Sequence, residues 1–277
     1  MKTRRLIRTA AKFGFNAVCL RRIVIAQVLL GGVFCELAGA SPVGYVDSPG
    51  VNYYKTDFGT GSQTLVNATP ITDPLGHIAI SPDGNFLYVA GGSFLGRIDT
   101  RSGEYANVGR IGDSLGGGQI MNIAFGNDGS LYGVTLNNAE LFRINAATGK
   151  GTSLGYHASR PPYNVQGFAV MGNKAFVLRN YGLSAVDLGD GTVQDLGDLA
   201  NAYYGRTLDI AVGPGGVLYA WNGFSFYDVD LQAMRLHEVQ QLQLPHTGWF
   251  FTLTPEPATL SLLCLGGLLL FRRRPCR

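Results

Sequence analysis

Residues 76–103, GHIAISPDGNFLYVAGGSFLGRIDTRSG, return in degraded form along most of the chain that follows them. Placing Ala79 of HIAISPDGNFLYV over Ala124, Ala169 and Ala211 gives spacings of 45, 45 and 42 residues. Tyr88, Tyr132, Phe176 and Tyr219 keep the same rhythm. So do an acidic or amide residue and a glycine four positions later: Asp99 with Gly103, Asn145 with Gly149, Asp187 with Gly191. Asp230 falls in phase without its glycine. A period of this length built from short strands is the mark of propeller blades.

Within one unit, Ile78, Ile80, Phe86, Tyr88 and Phe94 lie in short runs of aromatic and branched residues bounded by Gly, Pro, Asp and Ser. Such runs suit strands and are too short for helices. Asp83-Gly84, Asp128-Gly129 and the run 213–216 (GPGG) stand where tight hairpins need residues that tolerate positive φ. Four hairpin-linked strands make a small sheet that cannot bury both faces alone, so neighbours must stack.

Counting from the start of the chain gives five units. Tyr45 takes the place of Tyr88, and Asp57 with Gly61 that of Asp99 with Gly103, so 43–66 reads as strands two to four of a blade without its first. At the other end Trp249, Phe250, Phe251, Thr252 and Leu253 form a lone strand-like run, expected to insert as the innermost strand of that first blade. The expected fold is therefore all-β: a five-bladed β-propeller closed by the C-terminal strand, which would remove an open edge. An N-terminal signal peptide and a C-terminal transmembrane helix complete the expectation.

The ends are of a different material. Residues 1–40 carry seven basic residues by Arg22 and no acidic one before it, then an apolar run from Ile23 to Phe34, and finish in Leu37, Ala38, Gly39 and Ala40. This reads as a secretory signal cut after Ala40. Phe34 is too bulky to precede a lipoprotein Cys35. The ectodomain, 41–254, has eleven Lys and Arg against seventeen Asp and Glu, a net charge of −6, so nucleic acid is not an expected partner. All four cysteines, Cys19, Cys35, Cys264 and Cys276, lie outside it, which excludes a disulfide framework or a cysteine metal site there.

Recognition is expected on the links from the last strand of one blade to the first of the next, which emerge at one face. They bring Tyr156, His157, Arg160, Tyr163, Tyr203, Tyr204, Arg206 and His246 toward one mouth, a set suited to stacking on a sugar or peptide or, equally, to capping blade junctions. Catalytic constellations are thin. No metal-spaced His pair, P-loop, nucleophile elbow or dinucleotide fingerprint occurs, and no metal or cofactor is expected. His77 and His237 read as packing or surface. Asp83, Asp128 and Asp190 sit in hairpins without the ligand run of a calcium loop. Asp99, Asn145, Asp187 and Asp230 read as turn-initiating side chains.

The tail, 255–277, has Pro255, Glu256 and Pro257, an apolar run to Phe271, then Arg272, Arg273 and Arg274. Two prolines leave an extended segment around Glu256, the run is shorter than the ~20 residues of a full span, and the arginines mark a cytoplasmic side. This segment closely resembles the PEP-CTERM sorting signal of bacterial exported proteins. The resemblance implies an exosortase-type processing enzyme as partner and a Gram-negative host. It also implies passage through the inner membrane to the cell surface or the extracellular polymer. Separately, SPDGNFLYVAGG resembles blades of bacterial surface propellers of the YVTN and WD40-like kind, which bears on fold. The expected function is a noncatalytic surface or matrix propeller, not an enzyme, binding extracellular polysaccharide, a peptide or a surface protein. The alternatives are a secreted propeller lyase or hydrolase acting on polysaccharide and a structural spacer.

Overall fold

The protein is described from a computed structural model. It describes residues 42–48, 52–67, 71, 77–111, 119–136, 139–157, 165–180, 182–200, 209–245 and 250–254. These fall within one compact unit, Pro42–Pro257. Its short, branched and aromatic runs form five antiparallel four-stranded sheets.

The first blade holds β1 (Val43–Ser48), β2 (Asn52–Asp57), β3 (Gln63–Leu65) and, from the far end of the chain, β20 (Phe251–Leu253), in the order β20-β1-β2-β3. The second holds β4 (His77–Ile80), β5 (Phe86–Gly91), β6 (Phe94–Asp99) and β7 (Tyr105–Arg110). In the third, β8 (Ile120–Phe125), β9 (Leu131–Thr135), β10 (Glu140–Ile144) and β11 (Gly151–His157) follow in order. The fourth runs through β12 (Val165–Met171), β13 (Lys174–Arg179), β14 (Gly182–Asp187) and β15 (Val193–Asp198). The fifth consists of β16 (Asp209–Val212), β17 (Leu218–Trp221), β18 (Ser225–Asp230) and β19 (Arg235–Gln241).

Burial falls from the innermost strand outward. All of β4 is buried, whereas β7 and β15 are largely exposed. The core lies between blades: Phe58 stacks on Phe226 with ring centroids 4.6 Å apart and meets Trp221 edge-on at 5.6 Å, joining the first blade to the fifth. The turn between the third and fourth strands is the same device in every blade. Asp57, Asp99, Asn145, Asp187 and Asp230 each accept a hydrogen bond through Oδ1 from the N–H two residues on, at 2.8 to 2.9 Å. The residue four positions later takes a positive φ, for example 72° at Gly103, and at Met234, where the glycine is missing, 48°.

The expected architecture is corrected on two points. No sheet is closed: β20 pairs with β1 through Gly44↔Leu253, Tyr45↔Thr252 and Val46↔Phe251, completing an open four-stranded sheet, and the five sheets remain separate. Second, no helix among the described residues is long and apolar enough to cross a membrane. The expected transmembrane helix has no counterpart there, and the localisation built on inner-membrane transit loses that support. The expected signal peptide, 1–40, and the expected sorting segment with Pro255, Glu256, Pro257, Arg272, Arg273 and Arg274 lie outside the described residues.

Candidate functional site

Of the eight residues expected at one mouth, Arg160, Tyr163, Tyr203, Tyr204, Arg206 and His246 lie outside the described residues. Tyr156 and His157 end β11, where His157 stands opposite Glu140. No described contact brings these eight together. The described residues converge elsewhere, on the axis.

The five inner strands share one register. Ala79 pairs with Tyr88, Ala124 with Tyr132, Ala169 with Phe176, Ala211 with Tyr219 and Thr252 with Tyr45. Two residues earlier, at the end of each strand where the link from the preceding blade arrives, the equivalent residues are His77, Asn122, Gly167, Asp209 and Phe250. Three of the five, His77, Asn122 and Asp209, are buried polar side chains.

Asp209 is the centre of the group, 1% exposed. The Asn122 Nδ2 amide donates to its Oδ1 at 2.8 Å, and the backbone N–H of Ile210 donates to the same oxygen at 2.9 Å. The N–H of Phe251, in the neighbouring blade, donates to Oδ2 at 3.0 Å. Those two N–H groups belong to inner-strand edges that have no further strand to pair with, so the carboxyl caps both. Burial nevertheless disfavours its charged form, and the carboxylate of Asp47 adds to that. Together they outweigh the three donors and push the Asp209 carboxyl up to about 8.

Asp47, in β1, stands at the same level: its Oδ1 accepts the Phe250 N–H at 2.9 Å. His77 lies on the other side of the first blade from Asp209. Its ring packs against that of Phe250, with centroids 4.0 Å apart, and its Nδ1 has no hydrogen-bond partner among the described residues. Burial pulls the imidazole down to about 3, so it is neutral at pH 7. Gly167 completes the ring by having no side chain, because a Cβ there would stand 2.7 Å from the Ile210 nitrogen.

Sequence reasoning missed this group. It read His77 as packing or surface and passed over Asn122 and Asp209, since each looks ordinary in its own repeat. Aligning the repeats by column carries the signal: one level of the inner strand reads His, Asn, Gly, Asp, Phe. Among the described residues no three His, Cys, Asp or Glu side chains are grouped to hold a metal ion.

No family model matches this chain, and no curated protein matches its sequence, so the resemblance of the tail to a sorting signal gains nothing from either comparison. Its shape is shared with solved structures. A chain of a nidogen–laminin complex matches with a TM-score of 0.52 at 11% identity, over 77% of this chain and 98% of that one. A catalytically inactive virginiamycin B lyase from Staphylococcus aureus, solved with quinupristin, matches with a TM-score of 0.45 at 15% identity, over 75% of this chain and 72% of that one. A streptogramin B lyase matches at 0.43 and 12%, over 74% and 70%. At 11% identity the nidogen–laminin match bears on the fold alone, the all-β, five-bladed propeller described above. The expectation that the protein is not an enzyme is corrected. The axis holds a buried acid and a buried neutral imidazole where the sequence offered only thin catalytic constellations.

Proposed function

We propose that this propeller is an enzyme of the lyase or hydrolase kind acting on polysaccharide, with its acid–base pair at the link end of the axis. One observation carries the reading: two buried titratable groups at equivalent positions, Asp209 and His77, are driven in opposite directions by their surroundings. Such pairs mark the division of labour between acid and base. Near neutrality Asp209 holds a proton and His77 an unprotonated imidazole; both are buried, so turnover requires the polar plug around them to open to substrate, which also returns the imidazole toward its ordinary basicity.

In an elimination His77 Nδ1 takes the proton from the sugar carbon next to a carboxylate. The electron pair forms the new C=C bond, the glycosidic C–O bond breaks, and Asp209 protonates the departing oxygen. In hydrolysis the same acid protonates the leaving oxygen while His77 deprotonates the attacking water. Asn122 and the two backbone N–H groups hold the Asp209 carboxyl in place. The polysaccharide class rests on the sequence: Tyr163, Tyr203 and Tyr204 are of a residue type that stacks on sugars, and Arg160 and Arg206 of one that pairs with uronate carboxylates.

The test is turnover by the full chain on a polyuronate and on neutral polysaccharides, following the ultraviolet absorbance of unsaturated sugars and, separately, new reducing ends. Asp209→Asn and His77→Gln should each lower kcat by about 100-fold or more while circular dichroism keeps the parent spectrum. Absence of turnover on every polymer, or activity indifferent to both substitutions, overturns the reading.

A further inference from the structure

Below the polar plug the axis is hollow. A cavity of about 380 Å³ extends from the level of Ile78, Ile123, Phe168, Ile210 and Phe251 down to the hairpins at the opposite end. Pro82, Asn127, Gly215 and Gly216 form its exposed rim. The repeat explains why it is open: the marker position carries alanine in four blades, and Ala124, Ala169 and Ala211 line the wall together with Thr252 of the first blade. The volume lies at the lower end of the range for small-molecule pockets.

The chemistry of the wall narrows the occupant. None of the lining residues is charged, so nothing would compensate an ion taken out of water. The wall is also far from purely apolar, because each inner strand pairs on one edge alone. In β8, β16 and β20 the N–H groups of Ile123, Ile210 and Phe251 turn away from their own sheets toward side-chain oxygens on the axis. A strand repeats every two residues, so Phe125, Val212 and Leu253 turn their amides and carbonyls the same way one level lower. Ile80 at that level donates its N–H to Thr252 Oγ1 at 3.4 Å. A compact, uncharged wall of alternating backbone donors and acceptors, flanked by methyl groups, matches a small neutral molecule that carries hydroxyl and amide groups on an apolar frame.

We propose that this hairpin-end cavity is a binding site for one small neutral sugar-sized ligand of that kind, held by the inner-strand backbone and Thr252. The site is distinct from the acid–base group and does not depend on the catalytic reading, since none of Asn122, Asp209 and His77 lines it. Ligand hydroxyls and amides take hydrogen bonds from these backbone groups that solvent would otherwise make.

Titration of the full chain with N-acetylglucosamine, watched through backbone amide resonances, tests this. Saturable shifts are expected at Ile80, Phe125, Val170, Val212 and Leu253, with glucuronate and toluene producing none. Thr252→Val, which keeps the shape and removes the hydroxyl, should weaken binding roughly threefold to tenfold. Val212→Trp, which fills the cavity, should abolish it, with Thr252→Val deciding the matter if the tryptophan variant does not fold. Unshifted amides, equal response to the charged sugar or to toluene, or shifts confined to the Asp209 end would each overturn the proposal. Loss of catalysis in Asp209→Asn with these shifts intact would separate the two sites.

Discussion

Asn122 and Asp209 meet at 2.8 Å across the propeller axis although they belong to blades that are not neighbours. The blade between them contributes Gly167, where a Cβ would stand 2.7 Å from the Ile210 nitrogen and 3.1 Å from the Asp209 carbonyl carbon. The contact spans 87 residues of sequence and ties the third blade to the fifth. Through the Phe251 N–H, Asp209 also holds the first blade, so one carboxyl gathers three of the five blades.

Asp209 should make stability fall with rising pH. Its folded pKa, about 8, lies above the unfolded carboxylate value, so the folded protein holds the extra proton and loses that advantage as pH rises toward 8. His77 works in the opposite sense: its folded value, about 3, lies below that of the free imidazole, so its burden on the fold appears as pH drops below about 6.5. Between roughly pH 6.5 and 8 the Asp209 effect dominates, and urea melts should show a loss of about 1–2 kcal/mol that is absent in Asp209→Asn. Equal slopes in parent and variant would show that Asp209 does not titrate in this window.

Asn122→Leu should raise the Asp209 pKa further, since it removes a donor from a buried carboxyl, and should destabilise the protein by about 1–3 kcal/mol. A carboxyl carbon titration by NMR reads the first effect and thermal unfolding the second. A downward shift would contradict the assignment of Asn122 as donor.

Gly167→Ala places a Cβ 2.7 Å from the backbone nitrogen of Ile210, itself a donor to Asp209, and 3.0 Å from the Ile210 side chain. Backbone atoms cannot yield cheaply, so a loss of about 1–3 kcal/mol is expected. A variant that melts with the parent would mean that the blades can part at this level.

Removing residues 249–253 strips β20 from β1 and takes Phe251 out of the cluster with Phe58 and Phe226. The exposed edge of β1 should then drive unfolding or dimerisation. Size-exclusion chromatography and a thermal melt decide it, and a monomer with the parent's melting temperature would refute a structural role for β20.

Gly103→Ala should cost about 1–2 kcal/mol, because φ there is 72°, in the region that L side chains avoid. Met234 endures the same conformation at the equivalent turn, so Met234→Gly should be close to neutral or stabilising. A large loss from Met234→Gly would show that its side-chain packing against the core outweighs the backbone strain.

The blade count and the turn chemistry were legible in the chain because both depend on near neighbours. A hairpin needs its Asp-Gly within a few residues, an Asx turn bonds its own backbone, and a repeat shows itself by spacing. Asp83, Asp99 and Asn145 therefore read correctly as turn residues. The axial group was not legible. Each inner strand contributes one residue to it, and His77, Asn122, Gly167, Asp209 and Phe250 gain their chemistry from company that lies tens of residues away.

By itself the sequence determined a ring of small antiparallel sheets with acidic or amide turns, since local pairing and periodic burial leave a chain of short strands few other ways to hide its apolar faces. Tertiary structure alone decided that an aspartic acid would lie buried on the axis, holding a proton near neutrality. A carboxyl takes its ionisation from the dielectric and the donors around it, and those arise here from the convergence of distant strands.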